Sequence, residues 1–439
     1  SAVHSHLTRK GLRTFCSLNV RSAECIDPHY FAVLIGAGAT IVNAYLAEDT
    51  IADRIDRGLL QGPLTEATRR YREAIDQGLL KIMAKIHFMV NGLGLGNSTR
   101  CHAVIQKLHS EGATISVSTS GNGLWYFKGR PEIETLTELK ALTYGATQGK
   151  ISISKTILSI PRALAILKQN SRILMEALEE SLPDVVVSDS EYSFHPFKKL
   201  GIPMVSLNNS DVVVQSFRQF SLKPPEIFTQ FYTIEQADFF YHKWVPDKVL
   251  SPTLMPLLPG IHKNFQRISP IVRKDCIPNA YTKKITKVAI MLSGSAFGSP
   301  VQIKDPPIDF EIDILGRDAP RDMPKIENIR YHSRVKDSVK ILSSADVVVI
   351  NGGFSAISEA FIMKKPVIVI PVPRHAEQWV NGKTIENLGV GLMASETNFE
   401  ATMFEVIQRI DSFREAYTKI PNLNDGAKQA SEEILRLVR

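Results

Sequence analysis

Two glycine-rich turns carry residue types that suit phosphate binding. The stretch GLGLGNSTR, residues 92–100, follows a short apolar run, and NGGFS, residues 351–355, follows another. Glycines let the backbone approach a ligand, and the free N–H groups at the start of a helix attract anions. Each turn precedes a helix-like pattern, and Ser355 is suited to cap the second helix. The sequence therefore predicts two anion-binding turns of a size that suits a diphosphate.

Acidic and amide side chains follow the second turn at helical spacing. Glu359 lies one turn beyond Ser355 on the same face, so its two oxygens are placed to accept both hydroxyls of a ribose. Glu377, Gln378 and Asn381 share one face of the next predicted helix. For Glu359 the alternative is the ordinary preference of acidic residues for the first turns of helices. For Glu377, Gln378 and Asn381 the alternative is that they only form the start of a surface helix and contact no ligand.

Candidates for a general base follow a buried-strand pattern in the first half of the chain. Asp189 leaves the end of the apolar run, where ligands of open α/β sheets bind, and Glu191 comes two residues later. Either carboxylate is a candidate base for an acceptor hydroxyl, and His195 is a third. Turn formation by the acids, and packing or capping by the histidine, are the alternatives.

The elements that must position these residues alternate along the chain. Residues 86–250 and 285–370 show short apolar runs separated by helical periods, which is typical of βαβ units around a parallel sheet. The segment 257–284 is rich in proline and charge and is predicted to be a linker. We therefore expect an α/β protein with two Rossmann-like doubly wound domains, residues 83–256 and 285–420, facing a cleft. Residues 421–439 are predicted to form a capped terminal helix.

Composition narrows the classes of partner. The 439 residues include 52 Lys and Arg against 45 Asp and Glu, a net charge of +7 that favours anionic partners. No zinc finger, RNA-binding aromatic pattern or basic stripe accompanies that charge, so we expect no nucleic-acid partner. The four cysteines lack metal-ligand spacing, and no apolar run approaches the roughly 18 to 20 residues of a membrane span. A cytoplasmic protein with reduced thiols and no metal site is expected.

The first eighty residues differ in character from the rest. The stretch EATRRYREAIDQGLLKIMAK has the period of an amphipathic helix, and the pattern changes to a strand at about Met83. Residues 6–85, from GLRTFCSLNVRSAECIDPHYFAVLIGAGAT onward, closely resemble the central domain of the glutamate synthase large subunit. The flavin site, the iron–sulfur cysteines and the N-terminal nucleophilic cysteine of that family do not follow. We therefore predict a small α/β fragment, residues 1–82, without glutamate synthase activity.

The join between the two parts has more than one explanation. Because the chain opens on Ser1 and not on Met, we expect it to be the tail of something longer. A natural fusion and an artefact of joining both fit the sequence.

Residues 83–439 resemble GT-B glycosyltransferases related to the lipid-linked peptidoglycan N-acetylglucosaminyltransferase. The resemblance is most specific over ADVVVINGGFSAISEAFIMKKPVIVIPVPRHAEQWVNGKTIENLG, residues 345–389. It implies that Glu359 holds a ribose and that the EQ-x-x-N stretch contacts the donor sugar. It also implies a diphosphate loop at LSGSAFGSP and a nucleobase read by backbone near residue 334. The donor-binding residues it implies are Gly294, Ser295, Arg334, Val335, Gly352, Gly353, Ser355, Glu359, Glu377, Gln378 and Asn381.

The acceptor side departs from the resembled family at two positions. In the diphosphate and acceptor loop, Gly94, Gly96 and Arg100 match, but Asn97 replaces the usual histidine. Asparagine takes no proton at neutral pH, so Asn97 is expected to act in catalysis only through hydrogen bonds. Asn208 stands where an acidic residue is common in that family, which is the second departure on the acceptor side.

The resemblance implies an inverting glycosyltransferase that moves a hexose from a nucleotide-sugar to an unknown acceptor hydroxyl. The nucleotide-sugar is expected to be a UDP-sugar. No cofactor and no metal are expected, and the catalytic residues would be Asp189, Glu191 and Asn97. The alternatives are a nucleotide-sugar-binding protein without turnover, or a fusion whose glutamate-synthase piece is catalytically incomplete. A lipid-linked acceptor and peripheral membrane contact are further options for the partners.

Overall fold

The computed structural model describes residues 2–438 apart from 142–145, 148–149, 152–159, 256–258, 279–280, 282–284, 293–309 and 320–326. The chain forms two compact units. The first is Ser1–Lys85 with His109–Thr114 and Val438–Arg439, and the second is Ile86–Leu108 with Ile115–Leu437.

The first unit is a small α/β arrangement. Its elements are α1 (Ala2–Arg9), β1 (Asn19–Arg21), α2 (Pro28–Gly36), β2 (Ile41–Asn43), α3 (Tyr45–Asp56) and α4 (Leu64–Met83). Strands β1 and β2 pair in parallel. Asp27 caps α2 by accepting from the His29 N–H, with Pro28 in the first turn, and a small core forms around Cys25 and Phe31. Helix α4 ends at Met83, where the sequence pattern changes.

In the second unit, the described residues form two large sheets and one separate two-stranded ribbon. The first, in spatial order β11–β10–β9–β8–β3–β4–β5, has seven strands within the described residues. They are β3 (Lys85–Val90), β4 (Thr114–Thr119), β5 (Thr135–Glu138), β8 (Val185–Asp189), β9 (Met204–Leu207), β10 (Lys248–Pro252) and β11 (Phe265–Ile268). A two-stranded antiparallel ribbon of β6 (Ala146–Thr147) and β7 (Lys150–Ile151) lies outside this sheet. In the centre, β3 and β8 run parallel with Val90 opposite Asp189, which brings the ends of both strands together.

The second sheet, in spatial order β14–β13–β12–β15–β16–β17, is parallel at each of its pairings. Its strands are β12 (Lys287–Met291), β13 (Glu311–Leu315), β14 (Ile329–His332), β15 (Val347–Ile350), β16 (Val367–Val369) and β17 (Gly391–Met393). The central strand β15 is fully buried, as its unbroken apolar run predicts. These two sheets match the expected pair of doubly wound halves.

Helices connect the strands of both halves. In the first half they are α5 (Leu95–Ser110), α6 (Gly121–Phe127), α7 (Ile160–Glu180), α8 (His195–Leu200), α9 (Ser210–Gln219) and α10 (Gln236–Trp244). A helical turn, Phe228–Gln230, and a π-helical turn, Phe231–Glu235, lead into α10. In the second half they are α11 (Val339–Ser344), α12 (Phe354–Ile362), α13 (Ala376–Asn387), α14 (Phe399–Gln408), α15 (Ile410–Thr418) and α16 (Gly426–Leu435).

The two halves share buried apolar surface. Val213 and Phe217 of α9 pack in one hydrophobic cluster with Trp379 and Val380 of α13. The terminal helix α16 also reaches the first half, because its Gln429 accepts the Ser269 N–H at 2.8 Å and its Glu433 pairs with Lys248. These contacts keep the loops at the carboxyl ends of the two sheets close together.

The predicted linker 257–284 needs a correction. Part of it forms β11, which pairs in parallel with β10 as the edge strand of the first sheet. Its proline and charge content masked a short strand of only four residues. Among the helices of the described residues, none is long and apolar enough to cross a membrane.

The turn after β3 depends on one glycine for packing. A Cβ at Gly92 would lie 1.6 Å from the backbone oxygen of Ser120, whereas one at Gly94 would have no atom within 4 Å. We predict that Gly92→Ala lowers the free energy of unfolding by about 3 kcal/mol, because a backbone oxygen must move. Gly94→Ala serves as the matched control and should change it by less than about 0.5 kcal/mol.

The measurement is urea unfolding followed by tryptophan fluorescence. The three tryptophans are Trp125, Trp244 and Trp379, and all of them lie in the second unit, so their signal reports that unit alone. Equal destabilisation by both substitutions would contradict the packing explanation.

Candidate functional site

The two glycine-rich turns meet. The Ser355 hydroxyl, in the first turn of α12, donates a hydrogen bond to the Gly96 backbone oxygen of α5 at 2.9 Å. A Cβ added at Gly96 would lie 3.4 Å from that hydroxyl, so a larger residue would crowd the contact. The beginnings of α5 and α12, both with free backbone N–H groups, therefore lie side by side.

Ser355 does not cap its own helix, contrary to the prediction. Gly353 occupies the N-cap position of α12, without a side-chain cap. The hydroxyl of Ser355 is directed to the other half of the protein instead. Because a hydroxyl has one proton, Ser355 can donate either to Gly96 or to a ligand oxygen, but not to both.

Arg100 and Asp189 form a buried ion pair behind the first turn. Arg100 Nε and Nη2 donate to the two Asp189 oxygens at 2.9 and 2.6 Å, and Asp189 is completely buried. Burial acts to lower the pKa of Arg100, but the Asp189 carboxylate outweighs it and raises that pKa. Cys101 Sγ also lies 3.3 Å from Asp189. Both oxygens of this candidate base are therefore engaged in holding α5 against the end of β8.

Glu191 is placed differently from Asp189. Its Oε1 accepts from the Ser193 hydroxyl at 2.7 Å and from the N–H groups of Tyr192 and Ser193, while Oε2 makes no hydrogen bond with the described residues. Burial raises the pKa of Glu191. A raised pKa and one available oxygen are properties of a general base. His195 is exposed at the start of α8, and Asn97 makes no side-chain hydrogen bond within the described part of the chain.

Glu359, the predicted ribose ligand, is paired with an arginine that sequence reasoning missed. Arg273 Nε and Nη2 donate to its two oxygens at 2.7 and 2.8 Å, and Ser338 accepts from Arg273 at 2.8 Å. Both Arg273 and Glu359 are buried. Each Glu359 oxygen thus keeps one lone pair for a further hydrogen bond, which is the number that two ribose hydroxyls need. Arg273 lies in the proline-rich segment, where no motif marks it.

Gln378 and Asn381 shape the turn that precedes α12. Asn381 Nδ2 donates to the Gly352 oxygen at 3.0 Å, and Gln378 Oε1 accepts the Val372 N–H at 2.9 Å. Gly352 has φ +88°, and a Cβ there would lie 2.9 Å from the backbone oxygen of Gln378. Asn381 and Gln378 thus hold the backbone around the glycine turn and around Val372, and the predicted contact of this face with the donor sugar stays a prediction.

Glu377 forms a cluster with Glu235, from the π-helical turn, and His375; Glu235 is buried and the other two are half-buried. One ligand atom from each of these three residues lies within 4.8 Å of the others, a group that could hold a metal ion. Burial, and next the Glu377 charge, raise the pKa of Glu235 to about 8, and burial lowers the pKa of His375 to about 4. A proton retained by one carboxyl relieves the repulsion between the two. Neither Glu235 nor His375 was expected from the sequence, because Glu235 lies far from any motif.

The remaining predicted residues lie in loops that follow strands of both sheets. The Arg334 guanidinium lies 4.5 Å from the Trp125 ring centre, so the predicted nucleobase loop contacts α6 of the first half. Val335 follows it and is half-buried. Asn208 Nδ2 donates to Asp238 of α10 at 3.0 Å, so an acidic side chain lies beside this position. Gly294 and Ser295 lie outside the described residues.

Solved structures with a similar fold are glycosyltransferases. The chain matches the Acinetobacter baumannii MurG structure with a TM-score of 0.52 at 14% identity, covering 80% of this chain and 99% of that one. It matches the spinosyn forosaminyltransferase SpnP with a TM-score of 0.53 at 13% identity, covering 81% and 100%. Both likenesses establish the fold, two Rossmann-like domains of the GT-B type.

The curated relatives fall into two groups, which match different parts of the chain. An uncharacterized glycosyltransferase from Methanosarcina acetivorans is 25% identical over 379 residues, covering 78% of this chain and 96% of that protein. The glutamate synthase [NADPH] large chain of Azospirillum brasilense is 61% identical over 90 residues, which are 20% of this chain. The chain spans 6% of the length of that glutamate synthase.

The Glu235 and Glu377 pair predicts a pH effect on stability. The pKa of Glu235 is raised in the folded state, so this state binds more protons than the unfolded state between about pH 4.3 and pH 8. The stability contributed by this group is therefore present at low pH and is lost as the pH rises through the folded pKa. We predict that Glu235→Gln, which mimics the protonated form, removes part of the decline, at most about 1.4 kcal/mol per pH unit.

Urea unfolding at pH 5, 6, 7 and 8, followed by tryptophan fluorescence, measures this difference. Glu405→Gln, an exposed residue of α14, is the matched control. Parallel pH profiles for wild type and Glu235→Gln would contradict the coupling.

Family models divide the chain in the same way. The model of the glutamate synthase central domain matches residues 1–89. The model of glycosyl transferase family 1 matches residues 84–410, which hold both sheets and the two meeting turns. On this match, over well more than half of its length, the chain belongs to glycosyl transferase family 1.

Proposed function

We propose that the protein is an inverting, metal-independent hexosyltransferase that moves a sugar from a UDP-sugar to an acceptor hydroxyl. The observation that carries the proposal is the meeting of the α5 and α12 N-termini at Gly96 and Ser355. Two sets of free N–H groups and two positive dipole ends lie at one place, which suits a diphosphate.

The donor binds mainly to the second half in this proposal. The two remaining lone pairs of the Glu359 carboxylate accept the ribose hydroxyls, while Arg273 fixes its orientation. The diphosphate lies at Gly352 and Gly353, and the Ser355 hydroxyl turns from Gly96 to a phosphate oxygen. Glu377 contacts the sugar; burial raises its pKa, and the Arg100 charge offsets part of that effect.

Glu191 is the base that the geometry favours. The acceptor oxygen attacks the anomeric carbon from the face opposite the leaving group, and Glu191 Oε2 takes the hydroxyl proton as the new C–O bond forms. The bond from the anomeric carbon to the diphosphate oxygen breaks, and its electron pair leaves with the UDP. The α12 N-terminus stabilises the negative charge that develops there. Inversion at the anomeric carbon follows from this single displacement.

The setting of the reaction is part of the proposal. We place the enzyme in the cytoplasm, with peripheral membrane contact if the acceptor is lipid-linked, and we assign no catalytic role to residues 1–82. The main alternative is a nucleotide-sugar-binding protein without turnover. Asn97 is the observation that favours this alternative, because it supplies no proton-accepting group at its position in the turn.

The ribose contact predicts a preference among nucleotides. Wild-type protein should bind UDP about tenfold more tightly than 2′,3′-dideoxy-UDP, because two hydrogen bonds to a carboxylate are lost in the second ligand. In Glu359→Gln this preference should fall to about threefold or less. Calorimetric titration of the full chain measures both, with Glu405→Gln as the control variant and melting curves to check folding.

Equal affinities for the two nucleotides in the wild type would remove Glu359 from the ribose site. Absence of UDP binding by the folded protein would contradict the UDP-sugar assignment.

The base assignment predicts a selective loss of turnover. UDP release from UDP-glucose or UDP-N-acetylglucosamine in water, without an acceptor, should fall about 100-fold in Glu191→Gln, with UDP affinity unchanged. The rate for the wild type should also fall as the pH drops through the raised pKa of Glu191, since the base must be deprotonated.

His195→Asn is the matched variant and should retain the wild-type rate. Loss of turnover in His195→Asn but not in Glu191→Gln would transfer the role of base to the histidine. UDP binding without any UDP release would support the binding-protein alternative.

A further inference from the structure

The loop of residues 333–338, which follows β14 in the second half, is held on one side by the first half. The Arg334 guanidinium lies 4.5 Å and the Lys336 ammonium 5.3 Å from the ring centre of Trp125, in α6. The Lys336 ammonium also donates to the Lys128 backbone oxygen at 3.3 Å. The electron-rich face of a tryptophan ring attracts cations. Trp125 therefore restrains two side chains of this loop from across the two halves.

The end of the same loop contacts the arginine that orients Glu359. Ser338 accepts a hydrogen bond from Arg273 Nη2 at 2.8 Å, and an Asp337 oxygen lies 3.6 Å from Arg273 Nη1. Arg273 in turn donates to both oxygens of Glu359. Movement of the loop would therefore change the contacts that orient the Glu359 carboxyl group.

Helix α6 also lies close to the Arg273 and Glu359 pair. Burial raises the pKa of Tyr126, the residue after Trp125, while the Arg273 charge lowers it and the Glu359 charge raises it. Charges act on a buried group in this way only over short distances. The helix that carries Trp125 is therefore a neighbour of the predicted ribose ligand.

The contact orders a side chain that has few other restraints. Arg334 is exposed and forms no ion pair with any described residue. A long side chain that is free before binding loses conformational entropy when a ligand orders it. The Trp125 ring restricts Arg334 beforehand, so less entropy is lost when a nucleotide binds beside the loop.

We propose that Trp125 is a positioning residue for the donor nucleotide. It holds the loop 333–338 in place, so that Arg273 and Glu359 are oriented before the nucleotide binds. The inference rests on the proposed function, which places the nucleotide at Glu359. Trp125 touches no reacting atom, and it acts on nucleotide affinity through the loop. The first half thereby contributes to donor binding, although the donor lies mainly on the second half.

Calorimetric titration of the full chain with UDP tests this role. Trp125→Leu, which removes the aromatic face, should raise the Kd for UDP about fivefold. Trp125→Phe, which keeps an aromatic face for the cations, should raise it less than about twofold. Trp244→Leu is the matched control, because Trp244 is exposed and has its own cation, the Lys243 ammonium, 4.8 Å from its ring centre in α10. It should change the Kd less than about twofold.

The three variants are checked for folding by circular dichroism melting curves, since each changes a tryptophan. Equal weakening of UDP binding in Trp125→Leu and Trp125→Phe would overturn the role of the aromatic face. Equal weakening in Trp125→Leu and Trp244→Leu would show a general effect of losing a tryptophan and would also overturn the proposal.

A double substitution tests whether Trp125 acts through Arg334. Adding Trp125→Leu to Arg334→Leu should weaken UDP binding less than about twofold further, because the contact is already lost in the single variant. A further loss of about fivefold would show that the two side chains act independently and would overturn the proposal. Arg334→Leu changes an exposed residue, so it also gives a test if Trp125→Leu does not fold. An unchanged Kd in Arg334→Leu would then overturn the role of the loop contact.

The wild-type titration separates this proposal from the proposed function. UDP binding that Trp125→Leu leaves unchanged would overturn the positioning role alone and leave the UDP-sugar donor intact. Absence of UDP binding by the folded wild type would overturn both.

Discussion

The arrangement of the whole site depends on the buried ion pair between Arg100 and Asp189. It joins the second turn of α5 to the end of β8, and the Asn91 side chain donates a hydrogen bond to the Ser190 backbone oxygen at 2.9 Å beside it. Removing one partner of such a pair leaves a buried charge and costs about 3 to 5 kcal/mol. The glycine turn of the first half is thereby fixed at the place where Ser355 reaches it. The same pairing engages both oxygens of Asp189, which is why the base that we propose is Glu191.

The two acidic groups near the glycine turns differ in their partners. Glu359 has Arg273 as a bidentate partner, which fixes the orientation of its carboxyl group. Glu377 lies beside Glu235; burial, and next the Glu377 charge, raise the pKa of Glu235, and burial raises the pKa of Glu377. An acidic side chain can stay buried when an arginine pairs with it, or when it keeps its proton beside a second carboxylate. The two arrangements also suit different tasks, since the first accepts hydrogen bonds from two hydroxyls and the second can both donate and accept.

Sequence patterns predicted the fold well because its strands are buried and short. The apolar runs at Val185–Asp189 and Val347–Ile350, each followed by turn-forming residues, are sufficient to indicate parallel strands with a site at their ends. The glycine turns were predicted for the same reason. Arg273 and Glu235 were missed because each contacts residues that are far away in the sequence. Residue spacing and composition do not show which distant side chains come into contact. The strand Phe265–Ile268 was missed because an edge strand of four residues carries too weak a pattern among prolines and charges.

The apolar cluster between α9 and α13 limits how the halves can move. Phe217 stacks on Phe231 at 3.6 Å between ring centres and lies 6.3 Å from Trp379, so aromatic rings from both halves are packed together. Pulling the halves straight apart would expose these rings to water, which is unfavourable. The contact between Ser355 and Gly96 is, by comparison, a single hydrogen bond, which costs far less to break. The aromatic cluster is therefore the contact between the two halves whose opening costs most, and the two glycine turns lie where separation costs less.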